Sequence, residues 1–186
     1  MSTLPVLPPD AVLRNYFHAK DENRPHVLDS VFTDDAVLEI QNDSTAISFP
    51  ADTIGRAAIG DVLVRSFCQT YENVYSFYLS RPVGELSLFE CEWLVCMTEK
   101  SSRSVRVGCG LYRWEFAPLA PRLAQRLTIR IATMRVLPPS EAQDVFARVL
   151  RLSYPWSSRA EVAAAMAGHA ELTAVLQMLP LGERDA

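Results

Sequence analysis

The sequence predicts a single α+β domain followed by a helical C-terminal extension. Three observations predict this order. Apolar residues recur mainly with a helical period in the first 70 residues. Long strand-like runs follow between residues 86 and 136, and the spacing is helical again from residue 140. The length of 186 residues suits such a chain, and we place the boundary between residues 1–136 and 137–186.

The first two predicted helices begin at prolines. Asp10 follows two prolines and is the expected N-cap of a helix over residues 10–20. Pro25 suits the first turn of a second helix, which we expect to end in a polar turn at residues 33–35. The residues predicted to share the inward faces are Leu13, Tyr16, Phe17, Val27, Leu28, Val31 and Phe32.

A third helix is predicted over residues 56–71, and six strands complete the sheet. The expected strands lie at 36–40, 46–49, 74–79, 86–98, 104–116 and 123–136. The last three carry apolar residues on both faces, whereas a sheet with one solvated face would be more polar. We therefore expect the helices to cover one face, and the C-terminal extension or a partner subunit to cover the other.

Two capping boxes predict the helices of the extension. Ser140 with Gln143 indicates a helix over residues 140–152, and Ser158 with Glu161 indicates another that runs to about residue 179.

Composition argues against several classes of partner. The net charge is −4 and the pI is near 5.4, and no basic run could hold a nucleic acid or an anionic membrane. We find no signal peptide or membrane span. None of the cysteines forms a CxxC pair, and all lie in apolar surroundings, which favours reduced thiols and a cytoplasmic location. They are Cys68, Cys91, Cys96 and Cys109.

Three segments resemble the nuclear transport factor 2-like superfamily, which includes the SnoaL-like polyketide cyclases and the ketosteroid isomerases. Tyr16–Asp21 followed by Val31–Leu38 resembles the opening of that family, and Ile54–Ile59 resembles its glycine-containing start of the third helix. The resemblance covers about residues 10–136. It implies a strongly curved antiparallel or mixed sheet around three N-terminal helices, a cystatin-like roll that forms a cone with a pocket inside. Because this fold hosts isomerases, dehydratases, epoxide hydrolases, cyclases and binding modules, it does not by itself assign a function.

The ketosteroid isomerase pattern matches at only one of three positions. By spacing, Tyr16 falls where those enzymes keep a hydrogen-bonding tyrosine, so it is our candidate catalytic residue, with a core tyrosine as the alternative. The position of the catalytic base falls at Ile40, and that of the second acid at about Gly110. Isoleucine cannot accept a proton and glycine has no side chain, so steroid isomerase activity is not expected.

Histidine and metal chemistry have few candidates. His18, His26 and His169 all lie outside the predicted strands, and His18 with Asp21 is most simply a surface pair on a helix. No cluster has zinc spacing, so we expect no metal and no cofactor.

Epoxide hydrolase-like chemistry would need paired carboxylates and an arginine around a water. Arg126 and Arg130 share a strand face and could bind an anion. Cross-strand pairing with Glu90 or Glu92 is the favoured interpretation.

The aromatic residues predict a pocket for a small hydrophobic molecule. Aromatic core packing without a ligand would give the same pattern. The expected ligand-binding residues are Phe32, Ile40, Trp93, Gly110, Tyr112 and Trp114. The glycines of Gly108–Cys109–Gly110 would leave room beside the rings, and they mark a sheet bend or bulge.

Two functions follow from these predictions. The first is a SnoaL-like protein that binds a small hydrophobic or aromatic molecule and catalyses a cofactor-independent isomerisation, cyclisation or dehydration. The second is a non-catalytic dimeric module for ligand binding or protein interaction. A homodimer is expected in both.

Overall fold

The structure, a computed structural model, describes residues 7–180. The helices are α1 (Pro9–Asp21), α2 (Arg56–Gly60), α3 (Phe67–Thr70), α4 (Ala142–Val149), α5 (Arg159–Met166) and α6 (Ala170–Gln177). A 3-10 helix spans Pro25–Ser30, another spans Pro139–Glu141, and a π-helical segment, Asp61–Ser66, joins α2 to α3. The strands are β1 (Phe32–Asn42), β2 (Asp52–Ile54), β3 (Tyr71–Tyr78), β4 (Leu88–Glu99), β5 (Val105–Phe116) and β6 (Ala124–Leu137).

The six strands form one mixed sheet in the order β2-β1-β6-β5-β4-β3. Strands β1 and β6 pair in parallel, and all other neighbours are antiparallel. The sheet is curved and does not close. Its inner face packs against α1 and the helical segment 56–70 in one hydrophobic core. The predicted α+β fold with a curved mixed sheet is therefore confirmed.

The region between α1 and α2 differs from the prediction. The second helix is only a 3-10 segment, and β1 already begins at Phe32, so the predicted polar turn at 33–35 lies in a strand with irregular register. The strand expected at 46–49 is wrong, because β2 lies at Asp52–Ile54. Within that loop, Asn42 Nδ2 donates to the Ile47 carbonyl at 2.6 Å, and such side-chain bonds compete with strand pairing.

Two of the three predicted helix caps are also wrong. Pro8 is the N-cap of α1, and Asp10 instead forms an ion pair with Arg81 at 2.6 Å. Ser140 does not cap α4, which begins at Ala142. The capping box of Ser158 and Glu161 is confirmed at the start of α5.

The long helix predicted from Ser158 to about residue 179 is divided at Gly168. This residue has φ +82°, a conformation that favours glycine. His169 then caps α6 by accepting a hydrogen bond from the Leu172 backbone N–H. The extension is therefore three short helices rather than two longer ones.

The extension covers the outer face of the sheet. Side chains of β3, β4 and β5 that point away from the inner core form a second hydrophobic core with the tail. The tail residues buried there include Val145, Val149, Val162, Leu172 and Val175. The sequence left two possible coverings for this face, the extension or a partner subunit. The structure places the extension there.

The predicted bulge lies between β5 and β6. Cys109 pairs with Thr133 and Gly110 pairs with Ile131, so Ala132 is an extra residue in β6. A β-carbon on Gly110 would lie 1.8 Å from the Arg130 carbonyl oxygen and 2.8 Å from the Trp93 ring. The bulge therefore requires glycine here, because the neighbouring strand and the indole occupy that space.

No helix between residues 7 and 180 has the length and apolar character that crossing a bilayer requires.

Candidate functional site

A narrow cavity lies between the inner face of the sheet and the helices. Its volume is about 50 Å³. A single water needs roughly 10–15 Å³, so the cavity has room for a few waters or a small ring. The lining is mostly apolar, with residues from α1, the loop after β1, segment 56–70 and strands β1, β4, β5 and β6.

Four of the residues predicted for the site line this cavity. They are Tyr16, Ile40, Trp93 and Tyr112. Tyr16 meets the Tyr112 ring edge-on with centroids 6.0 Å apart, and Trp93 lies 5.5 Å from Tyr112. The expected group of aromatic side chains from separate elements is therefore assembled at the cavity.

The other three predicted residues lie behind the cavity wall. Phe32 and Trp114 are fully buried and pack against Tyr16, with centroids 6.1 Å and 5.1 Å from its ring. Gly110 borders the Trp93 ring rather than empty space. The space beside Gly108 is likewise occupied by Met134, whose terminal carbon would lie 2.5 Å from an added β-carbon. The glycines therefore provide room for protein side chains.

The Tyr16 hydroxyl is buried and has no hydrogen-bond partner among residues 7–180. Burial raises the pKa of Tyr16 far above its usual value, so the phenol stays protonated. The nearby Tyr112 hydroxyl lowers the pKa of Tyr16 by a smaller amount. The two hydroxyls nevertheless do not meet the geometry of a hydrogen bond. A buried polar group without a partner costs stability, and a ligand that accepts a hydrogen bond from it would recover that cost. The Tyr16 hydroxyl is therefore a donor available to a ligand.

Lys20 is a cavity residue that the sequence analysis did not select. It lies one helical turn after Tyr16, so both side chains leave the same face of α1. Its ammonium bonds to the Asp21 carboxylate at 2.5 Å and to Ser76 Oγ at 2.7 Å, and it lies 5.1 Å from the centroid of the Phe67 ring. Both side chains of the ion pair are buried, with 7% and 2% of their surface exposed. In the sequence, the i, i+4 spacing from Tyr16 was the feature that could have indicated that Lys20 lies on the same face of α1.

The remaining charged candidates lie away from the cavity lining. His18 pairs with Glu22 at 2.8 Å rather than with Asp21. Arg126 pairs with Glu39, and Arg130 with Asp43 at 3.2 Å, so the predicted partners Glu90 and Glu92 were wrong. Those two glutamates pair with arginines outside β6. Among residues 7–180, Lys20 is therefore the charged side chain of the cavity lining, and no carboxylate or imidazole from these residues lines it.

Metal and thiol chemistry find no support in the part of the chain that the structure describes. No group of three or more histidine, cysteine, aspartate or glutamate side chains there is placed to hold a metal ion. The four cysteines are free, and burial raises the pKa values of Cys91, Cys96 and Cys109, the last two to about 12. Such thiols are poor nucleophiles.

These features define an α+β cone with a small, largely apolar cavity on its inner face. No protein-family model matches the sequence, and no curated protein matches it either. Solved structures do match the fold. A hexachlorocyclohexane dehydrochlorinase, LinA type 2, has a TM-score of 0.57 and 13% identity over 68% of this chain and 84% of its own.

Two further structures match at a TM-score of 0.51. One is a Catenulispora acidiphila protein with a ketosteroid isomerase-like fold, in complex with trimethylamine, at 14% identity over 66% of this chain and 85% of its own. The other is a proposed scytalone dehydratase from Novosphingobium aromaticivorans, at 14% identity over 69% and 88%. The chain therefore has the fold of the nuclear transport factor 2-like superfamily, as the sequence predicted.

Proposed function

We propose that this protein binds a small, mainly aromatic molecule in the cavity, and that the Tyr16 hydroxyl donates a hydrogen bond to an oxygen of that molecule. The observation that carries the proposal is the buried Tyr16 hydroxyl without a partner in the described chain, on a side chain that lines an apolar cavity. A ligand oxygen beside Tyr16 would satisfy this donor and be held by the surrounding rings. Phe32, Gly110 and Trp114 would support the site from behind rather than contact the ligand.

The reaction that suits this cavity is a cofactor-independent isomerisation, cyclisation or dehydration. Each develops negative charge on an oxygen, and a fixed donor in a largely apolar cavity stabilises such charge. Structures with the same fold include a dehydrochlorinase and a proposed dehydratase.

The second candidate is a non-catalytic binding module. It is favoured because no carboxylate or imidazole from the described part of the chain lines the cavity, and such groups are the usual general bases. The Lys20 side chain does not supply a free base, because it is engaged in an ion pair with Asp21. Turnover of a bound compound to a product, followed by NMR, would favour the enzyme, and binding without product would favour the module.

Tyr16→Phe tests the step that both candidate functions share, which is binding of a ligand through the Tyr16 hydroxyl. We expect acetophenone, whose carbonyl accepts a hydrogen bond, to bind the variant about fivefold more weakly, since one hydrogen bond contributes about 1 kcal/mol. Ethylbenzene, which has no acceptor, should bind both proteins equally. Isothermal titration calorimetry measures each affinity.

The ligand-free variant provides the second half of this test. Tyr16→Phe should be as stable as the wild type, or about 1 kcal/mol more stable, because it removes a buried hydroxyl without a partner. Tyr78→Phe is the matched control: Tyr78 donates to the Leu13 carbonyl at 3.0 Å, so its loss should destabilise the protein. Failure of all ring compounds to raise the melting temperature would contradict the proposed function.

The remaining predictions from the sequence are part of the proposal. We keep residues 1–136 as the functional domain, residues 137–186 as its extension, and a cytoplasmic location, which the free cysteines favour. A homodimer also remains a prediction. Its original reason has weakened, since the extension already covers the outer face of the sheet.

A further inference from the structure

The polar groups available at the cavity are predominantly hydrogen-bond donors. An ammonium has three N–H donors, and Lys20 uses one on Asp21 and one on Ser76. Among residues 7–180 no acceptor takes the third. The Tyr16 hydroxyl and the Trp93 indole N–H, both on side chains that line the cavity, also have no partner in this part of the chain. An indole N–H can only donate.

The charged side chain that lines the cavity is also a hydrogen-bond donor. The Lys20 side chain lines the cavity, whereas its counter-ion, Asp21, is not part of the lining. The Asp21 carboxylate instead accepts hydrogen bonds from the backbone N–H and the hydroxyl of Ser76, both at 2.9 Å. A ligand in the cavity therefore contacts the ammonium directly. The Asp21 carboxylate acts there only through its charge, which helps to raise the pKa of Tyr16.

The ammonium is also fixed in place before a ligand arrives. It is held between Asp21, Ser76 and the rings of Phe17 and Phe67, whose centroids lie 5.5 Å and 5.1 Å from Nζ. Because burial and these contacts restrict the side chain, little further conformational entropy is lost when an anion binds.

We propose that the natural ligand is a small aromatic anion, of the carboxylate class, whose charged oxygen is bound by the Lys20 ammonium while its ring occupies the apolar part of the cavity. This inference rests on the proposed function and specifies its ligand. Lys20 is the binding residue, and Asp21 and Ser76 are positioning residues. Tyr16, one turn away on α1, donates to the same anionic group or to a neighbouring oxygen.

The test compares benzoate with benzamide, which has the same ring and a neutral group of the same shape. Wild-type protein should bind benzoate about tenfold more tightly, because hydrogen bonds to a charged group are roughly twice as strong as neutral ones. Lys20→Met should remove this preference. Lys100→Met, which changes a surface lysine outside the cavity lining, should retain it. Calorimetric titration gives each affinity.

Folding of the variant is controlled separately. Lys20→Met leaves the Asp21 carboxylate buried without its counter-ion, so we also use the double variant Lys20→Met, Asp21→Asn, which carries no buried charge at this position. Circular dichroism melting shows which variant is folded at the titration temperature.

The outcomes separate this inference from the proposed function. Equal affinity of wild type for benzoate and benzamide overturns the anion inference and leaves the aromatic pocket standing. A benzoate preference that persists without Lys20 also overturns it, because the charge would then be bound elsewhere. Absence of binding by benzoate, benzamide and acetophenone alike overturns both.

Discussion

Gly110→Ala is expected to destabilise the protein by about 3 kcal/mol or more. The added methyl carbon would lie 1.8 Å from the Arg130 carbonyl oxygen and 2.9 Å from its carbon. These are backbone atoms of a paired strand, so no side-chain rotation relieves the contact, and β5 and β6 must separate. For a chain of this size 1 kcal/mol corresponds to roughly 2–4 °C, so the melting temperature should fall by about 6–12 °C.

Gly84→Ala is the matched control for that variant. Gly84 has φ +75°, and no atom of residues 7–180 lies within 4 Å of an added β-carbon, so alanine there meets only backbone strain. The expected cost is about 1 kcal/mol. Thermal and urea unfolding of both variants measure the difference. If Gly110→Ala melts within 2 °C of wild type, or if Gly84→Ala loses more stability, the close approach at the bulge is not what requires glycine.

The strands were predictable wherever local alternation sets the face. In β4 the alternation of the sequence places every second residue from Cys91 to Met97 on one face, and these residues lie together in the inner core. Side chains alternate with a period of two along any paired strand, so this property needs no knowledge of the neighbouring strands.

The alternation fails where a distant contact changes the register. Strict alternation would place Met134 on the face opposite Ile131, yet both line the cavity. The extra residue Ala132 shifts the pairing, and this shift depends on the space left by Gly110 in another strand. The glycines indicated a bulge, but not which side chains of β6 it would redirect.

Lys20 shows the same limit for the site. A lysine at the end of an amphipathic helix is usually exposed, so the sequence gives no reason to place it in a core. Its burial depends on Ser76, which lies 56 positions away and is brought to the end of α1 by β3. The inward position of Tyr16 was predictable because the helical spacing of α1 sets its face, whereas the group of Lys20, Asp21 and Ser76 beside it forms only after folding.

Asp21→Ala is expected to cost about 3–5 kcal/mol, because it leaves the Lys20 ammonium buried without its counter-ion. The Ser76 backbone N–H, which donates to Asp21 at 2.9 Å, loses its acceptor in the same variant. Asp21 is also reached from the extension, since the Tyr154 hydroxyl donates to it at 3.4 Å. Urea unfolding monitored by circular dichroism measures the loss.

The ion pair of Asp144 and Arg148 on α4, at 2.9 Å, supplies the control, because the Asp144 carboxylate is exposed. Asp144→Ala should cost no more than about 0.5 kcal/mol, since exposed i, i+4 pairs contribute little. Adding Lys20→Met to Asp21→Ala should restore part of the lost stability, because the unpaired charge is then absent. If the double variant is less stable than Asp21→Ala alone, the cost arises from lost hydrogen bonds and packing. Such a result would mean that the Lys20 ammonium tolerates the loss of Asp21, so electrostatic pairing is not what holds Lys20 at the cavity.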